Sequence, residues 1–499
     1  MLNQIAESYI KYQDRNAFFI DGQYYSYRQF AQIVSNIRKC LQNKYNSEKL
    51  IGIITNDDIE TYSSVFGILY SGYGFVPINP KNPTDRNLAV IEQSGIKVIL
   101  TSTYDLEVQN LVRSNKIDII NTRELTPSEI DLSVPRISEN DIAYILFTSG
   151  STGVPKGVPL TRKNLNSFID AFFARGYKIN EEDRCLQMFD MTFDLSLMSY
   201  IIPLCKGACV YTVPPGGIKY TYVFNLLEEQ KITVALMVPS IISYLRPYFD
   251  EMKLPHMRYS MFCGEALYKD ISLEWMECVP NALVQNVYGP TEATIFCSIY
   301  DLNCDNDKLK SFNGVLSIGR AMDNMGLYIV NENGEDVEIE EKGELCLYGA
   351  QLTPGYWKNP EKNKQAFFVK KIDGKDTTLY RTGDLAYRDS DGDYLYCGRI
   401  DHQVKIDGFR VELGEIEHYT REFTQVSNVA VVTFKNKIGN NEIFLFIENY
   451  SGDTINVENY LKTKLPDYMI PAKIIIIDNF PLNVNGKIDR KALANQLNM

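Results

Sequence analysis

A chain of 499 residues is too long for one ordinary hydrophobic core and divides into two or more domains. Its 45% apolar and 23% charged content is that of soluble globular material, and its net charge of −12 argues against nucleic acid as a main partner, because a phosphate backbone needs basic faces. The ten cysteines are scattered without a paired C-x-x-C, and only His256, His402 and His418 stand beside them, so a zinc site is not expected. Such thiols fit a reducing compartment. The N-terminus has no basic and apolar leader, and no run reaches membrane-spanning length, so the expectation is a cytoplasmic protein without membrane insertion.

Residues 18–20 and 23–25 read as a hairpin about Asp21-Gly22, and Ser26 is placed to cap a helix carrying Phe30, Ile33, Ile37 and Leu41 at helical spacing. Strands at 50–54, 75–78 and 98–100 then alternate with helices at 59–69 and 83–93. That alternation predicts an α/β layer with largely parallel strands, whose ligands sit at the carboxyl ends of the strands.

An apolar strand over 142–147 runs into Thr148-Ser149-Gly150-Ser151-Thr152-Gly153-Val154-Pro155-Lys156-Gly157. Glycines let the backbone approach an anion, amides and hydroxyls donate to phosphate oxygens, and a lysine adds a point charge. A flexible Gly/Ser/Thr linker is the alternative, but a linker needs neither Pro155-Lys156-Gly157 nor a buried strand aimed into it. The stretch is not a P-loop, because the position five after Gly150 is Pro155 and Gly157, not a hydroxyl residue, follows the lysine.

Beyond the loop, a helix is expected over 164–173, strands over 234–238, 259–263 and 283–287, and a helix starting at 241. The 259–263 strand feeds Gly264-Glu265, and the 283–287 strand feeds Tyr288-Gly289-Pro290-Thr291-Glu292. From about 315 to 396 short strands separated by Gly and Asp turns predict a β-rich subdomain. A compact α+β unit follows Gly398-Arg399, with helices at 414–422 and 457–465 and strands at 430–434, 443–447 and 474–477.

Three polar clusters interrupt apolar strands. Residues 286–292 offer an aromatic face for a base, a hydroxyl for phosphate and a carboxylate for Mg²⁺. Tyr380-Arg381-Thr382-Gly383-Asp384 puts an acid in a turn, suited to ribose hydroxyls, and Asn485-Gly486-Lys487 presents a lysine on a loop. Turn chemistry explains each one alone equally well.

Together and in this order they resemble the adenylate-forming superfamily: acyl-CoA synthetases, luciferases, and the adenylation domains of nonribosomal peptide synthetases. The resemblance also rests on Tyr73-Gly74-Phe75-Val76-Pro77-Ile78-Asn79-Pro80, on the loop at Thr148, and on Gly355-Tyr356-Trp357-Lys358-Asn359-Pro360. Gly398-Arg399-Ile400-Asp401, the stretch 404–417 and Asn485-Gly486-Lys487-Ile488-Asp489-Arg490 complete it. It implies a large α/β N-terminal domain over 1–400, made of two α/β subdomains and the β-rich one. A small mobile α+β C-terminal domain over 401–499 would turn about a hinge at Asp401.

The resemblance implies two half-reactions. A carboxylate attacks the α-phosphate of Mg-ATP, and a phosphopantetheine thiol then takes the acyl group from the adenylate. Thr148, Ser149, Gly150, Ser151, Thr152, Gly153 and Lys156 would hold the phosphates, with Gly264, Glu265, Asn286, Val287, Tyr288, Gly289 and Pro290 around the nucleotide. Thr291 would touch the α-phosphate, Glu292 would bind Mg²⁺, and Asp384 would take the ribose, with Tyr396, Cys397, Gly398 and Arg399 closing over it. Lys487 would lie between the substrate carboxylate and the α-phosphate, where an ammonium offsets charge as two anions meet. Turning at Asp401 would exchange Lys487 for the segment 405–408, with Lys405 reaching the adenylate.

Phe193-Asp194-Leu195-Ser196-Leu197-Met198 matches the segment in which amino-acid-activating members carry an acid for the substrate ammonium. A buried carboxylate without a cation is costly, so an α-amino group is the natural partner of Asp194; a helix N-cap is the alternative. By the same carry-over Leu195, Met198, Ser240, Met261, Cys263, Val287, Ile295 and Phe296 would line an apolar pocket for a small neutral amino acid. Phe193–Ser196 and Phe262–Glu265 are similar to D-alanine–carrier-protein ligases, while Val287 and Phe296 are larger than expected for alanine. The chain stops soon after Arg490-Lys491-Ala492-Leu493, so the acceptor is expected to be a separate phosphopantetheinylated carrier protein or CoA. A carboxylate–CoA ligase is the alternative reading, and it would not need Asp194.

Overall fold

The computed structural model describes residues 1–45, 48–103, 117–150, 155–214, 216, 218–302, 308–400, 403–481 and 488–497. Asp21 (φ 48°) and Gly22 (φ 78°) form the left-handed pair that a two-residue hairpin between Asn16–Ile20 and Gln23–Ser26 requires. Ser26 caps the helix Tyr27–Lys44 through a capping box with Gln29.

Two α/β sheets carry the first three hundred residues. The six-stranded sheet runs in the order 118–121, 98–101, 50–54, 74–78, 142–148, 156–161 and is parallel except for its last, antiparallel strand. The nine-stranded sheet has six parallel strands at its centre, from 16–20 through 209–212, 184–187, 234–237 and 259–262 to 283–288. Antiparallel strands close its two edges. One large core cluster runs through both sheets and into the helices between them. An antiparallel five-stranded sheet spans 325–399, with one short helix, Pro360–Ala366, inserted.

Residues 403–497 build their own cores around the strands Val429–Lys435, Asn441–Glu448 and Lys473–Ile477. They open with the hairpin Gln403–Ile406 and Phe409–Glu412. Its two-residue turn is Asp407 (φ 48°) and Gly408 (φ 85°), again the left-handed pair that matches strand twist. This hairpin packs onto the strand ends of both α/β sheets and therefore shapes the site.

The structure departs from the sequence expectations in places. The first helix, Leu2–Tyr12, the strands Arg184–Gln187 and Cys209–Thr212, and the helices Lys219–Glu229 and Lys269–Cys278 lie where no element was expected. The loop after Thr148 is also shorter than its hydroxyl and glycine content suggests. A strand, Lys156–Thr161, resumes at the lysine and pairs antiparallel with Ile142–Thr148. Gly157 is needed there, because a Cβ would meet the side chains of Trp357 and Phe147 at 3.0–3.2 Å. The nine described cysteines are all free. No helix among the described residues is long and apolar enough to cross a membrane.

Candidate active site

The strands Ile142–Thr148, Tyr259–Phe262 and Leu283–Tyr288 end at two adjoining cavities, with the C-terminal hairpin over them. The larger, of about 230 Å³, is lined by Gly264, Glu265, residues 286–289, Asp384, Tyr396 and Arg399, and closed by residues 403–405. Asn286 is buried and spends its amide on the Ser317 carbonyl at 2.8 Å. Asp384 is held by the Tyr288 hydroxyl and by Arg399, each at 2.5 Å. This places a buried carboxylate at one end of a cavity with aromatic and apolar walls.

The smaller cavity, of about 60 Å³, brings together Thr148, Ser149, Asp194, Leu195, Cys263 and residues 289–291 with Phe193, Lys405 and Arg410. Asp194 is the first residue inside the helix Asp194–Leu204 and Phe193 holds the N-cap position, so the N-cap alternative does not apply. Its Oδ2 is buried without a hydrogen-bond partner among the described residues. Burial pushes its carboxyl up to about 7, against Thr291, the Ile295 N–H and Lys405, which favour the ionised form. A buried acid with one uncommitted oxygen is built to receive a donor.

Glu292 lies beneath this cavity, fully buried. The Tyr356 hydroxyl donates to it at 2.7 Å, and Arg410 approaches both its oxygens at 3.2 and 3.3 Å. Its pKa is lowered: burial acts upward, but Arg410, Tyr356 and Lys156 outweigh it and keep the carboxylate ionised.

The hairpin is held by paired groups. The Gly408 N–H donates to Glu265 Oε1 at 2.9 Å, and the Ser240 N–H to Oε2 at 2.9 Å. Ser149 donates to the Arg410 carbonyl at 2.8 Å, and Lys156 pairs with Glu412 at 3.0 Å, both side chains buried. Arg86 pairs with Glu415 at 2.8 Å, also out of solvent. Phe409 stacks on Tyr468 at 4.0 Å and meets Phe193 edge-on at 4.4 Å.

Several expected site residues lie elsewhere. Met198 faces a small cavity behind the sheet with Ile202 and Leu236. Phe296 packs edge-on against Phe168 at 5.0 Å, inside the main core, and Ile295 and Met261 are buried in that core too. Ser240 contributes its backbone to Glu265 and is absent from the lining of both cavities, as are Cys397 and Gly398. Lys156 faces Glu412, not an open loop. Ser151, Thr152, Gly153, Asp401 and Lys487 lie outside the described residues. Tyr356, Arg410, Glu412, Arg86 and Glu415 have no role that sequence reasoning assigns. The only available signal is their place inside the matched motifs or beside an apolar strand.

A family model described as AMP-binding enzyme matches residues 6–357. Zwittermicin A synthase ZmaJ of Bacillus cereus is 30% identical over 499 residues, covering 98% of this chain and 93% of that protein. Tyrocidine synthase 1 of Brevibacillus parabrevis is 29% identical over 487 residues; the match takes in 97% of this chain but 44% of that synthase, so the chain spans less than half its length. Among solved structures, the Vibrio cholerae adenylation domain AlmE, in complex with glycyl-adenosine-5'-phosphate, superposes with a TM-score of 0.87 at 27% identity, over 99% of this chain and 97% of AlmE. The family match over most of the chain and the superposition over nearly all of it show that the chain belongs to the AMP-binding enzyme family and has the adenylate-forming fold.

Proposed function

We propose that the chain activates a small neutral amino acid with ATP and passes it to the phosphopantetheine thiol of a separate carrier protein, as a D-alanine–carrier-protein ligase or a stand-alone adenylation domain does. The observation that carries this reading is Asp194, a buried carboxyl with one oxygen unpartnered among the described residues, opening on a cavity that leaves little room. An α-ammonium is the group that offsets its charge. The glycyl-adenosine-5'-phosphate bound by AlmE is a product of the same kind.

In the first step a carboxylate oxygen of the amino acid bonds to the α-phosphorus of ATP, and the bond to the bridging oxygen breaks, releasing pyrophosphate. Asn286, Val287 and Tyr288 would frame adenine, a ribose diol would meet Asp384, and Thr148, Ser149 and Thr291 would donate to phosphate oxygens. Thr148 Oγ1 is buried without a partner among the described residues, which suits that role. Lys487 would bridge the two reacting anions. Glu292 fits a divalent cation: it is ionised and buried, and no cluster of three or more His, Cys, Asp or Glu ligands stands among the described residues, so phosphate oxygens would supply the other ligands. Bound Mg²⁺ would neutralise the departing pyrophosphate.

In the second step the thiol sulfur bonds to the acyl carbon, AMP leaves with the bonding pair, and the thiol proton goes to solvent. We read the hairpin docked at Glu265 as the arrangement for this step, reached by turning residues 401–499 about Asp401 against 1–400. The carrier's arm would enter through a further cavity of about 340 Å³, lined by Asp57, Lys81, Asp190 and Lys219. It adjoins the Phe193–Phe409 contact, with Lys219 6.0 Å from the Phe409 ring. A cytoplasmic location accords with this chemistry.

Substrate-dependent ATP–pyrophosphate exchange over D- and L-amino acids and simple carboxylates tests the reading. Exchange is expected only with amino acids bearing small neutral side chains, and Asp194→Ala raises their KM by tenfold or more. Equal exchange with carboxylates lacking the amine would return the carboxylate–CoA ligase reading.

A further inference from the structure

The strand Ile142–Thr148 ends at the smaller cavity beside Asp194 but begins at a separate one of about 160 Å³, which Ala143 lines. Ala143 and Thr148 stand about 16 Å apart along the strand. Arg162, in the first turn of the helix Arg162–Ala174, lines this second cavity and is 8% exposed. Its Nη2 donates to the carbonyls of Leu69 and Tyr73 at 3.1 and 3.0 Å, at the end of the helix Ile59–Ser71. A helix end supplies only about half a unit of negative charge. No carboxylate pairs with the guanidinium among the described residues, and its Nε is buried there without a partner. Asp141 acts on it through space, but Asp141 Oδ2 takes the Ser138 N–H at 3.2 Å. Burial pulls the guanidinium down to about 10, the mark of a cation short of counter-charge.

We propose that this cavity is a second ligand site, apart from the nucleotide and substrate cavities, which binds a small monocarboxylate: the carboxylate on Arg162, the apolar body against Val134, Ile137 and Leu165. A buried guanidinium gains most from a charge-assisted bond to a carboxylate. The volume suits a ligand of up to about ten non-hydrogen atoms, since each water-sized place takes about 10–15 Å³. Glu139, exposed where it lines the same cavity, disfavours a second negative charge, so phosphate and dicarboxylates fit poorly. The apolar walls favour a ligand with a hydrocarbon body over a bare inorganic anion.

Calorimetric titration of the full-length chain with isovalerate tests the site. Saturable binding is expected, and isovaleramide, which has the same shape without the charge, should bind about tenfold or more weakly. Arg162→Met should weaken isovalerate binding by about tenfold or more. Val134→Asp, at a 40% exposed position on the cavity wall, should do the same by setting a like charge against the carboxylate; it carries the test if Arg162→Met does not fold. Asp194→Ala should bind isovalerate as the wild type does, because the two cavities are separate. Inorganic phosphate should not displace isovalerate. Absence of saturable binding by the wild type overturns the site, and equal binding of the amide, or displacement by phosphate, overturns the ligand class. Binding that Asp194→Ala loses, and that Arg162→Met or Val134→Asp keeps, moves the ligand to the substrate cavity and overturns the proposal.

Discussion

The Gly408 backbone N–H donates to Glu265 across 143 residues of sequence, which fixes the tip of the C-terminal hairpin over the two cavities. No other residue fits at that tip. Gly408 has φ 85°, and a Cβ there would lie 2.4 Å from Val238 Cγ1. Left-handed strain and overpacking together cost roughly 2–4 kcal/mol. Gly408→Ala is therefore expected to leave ATP–pyrophosphate exchange within twofold of wild type while slowing thioester formation by about 30-fold or more. Equal loss in both half-reactions would show that the hairpin does not act in the second step alone.

Asp194 gives a pH signature with a definite sign. Its carboxyl is raised from 3.8 to about 7, and an ammonium is held by the ionised form, so kcat/KM for the amino acid rises with pH and levels off above about 7. Stability moves the other way. Burial favours the neutral acid, so its contribution is fully present below pH 3.8 and lost as pH climbs through about 7. Asp194→Asn removes the ionisation. Without substrate, the wild type should lose stability relative to the variant between pH 4 and 7, by up to about 4 kcal/mol, as read from denaturation midpoints. A pH-independent difference would place the carboxyl in water.

Phe296, expected in the substrate pocket, stands in the core. Phe296→Ala should behave as a large-to-small core change, costing about 3–5 kcal/mol. It should not admit larger amino acids, because its ring faces Phe168 and Phe172. A folded variant that exchanges with leucine or phenylalanine while the wild type does not would put the ring back in the pocket wall.

Several of the residues legible in the sequence end apolar strands. Thr148, Cys263 and Tyr288 each follow a hydrophobic run, and the fold brings such strand ends to a common edge. Asp194 and Asp384 are legible through short motifs. Arg410, Lys156 and Arg86 are not, because their partners lie 118, 256 and 329 residues away and local pattern carries no information about such pairs. The four-residue strands Arg184–Gln187 and Cys209–Thr212 also escape detection.

Lys156 is where local and long-range readings collide. Its position after a Gly/Ser/Thr loop suggests a phosphate ligand, yet it begins a strand and its ammonium pairs with Glu412. Burial and Arg410 lower its pKa, while Glu412 and Glu292 act to raise it. With both side chains about a tenth exposed, a charge-assisted bond of this kind contributes about 1.5–3 kcal/mol to docking. Lys156→Met should therefore leave KM for ATP within threefold and slow thioester formation about tenfold or more. Paired with Glu412→Gln in a double-mutant cycle on thioester formation, the two changes should add to less than their sum, because each removes the same contact. A tenfold rise in the KM for ATP, with full additivity in the cycle, would return Lys156 to the phosphates.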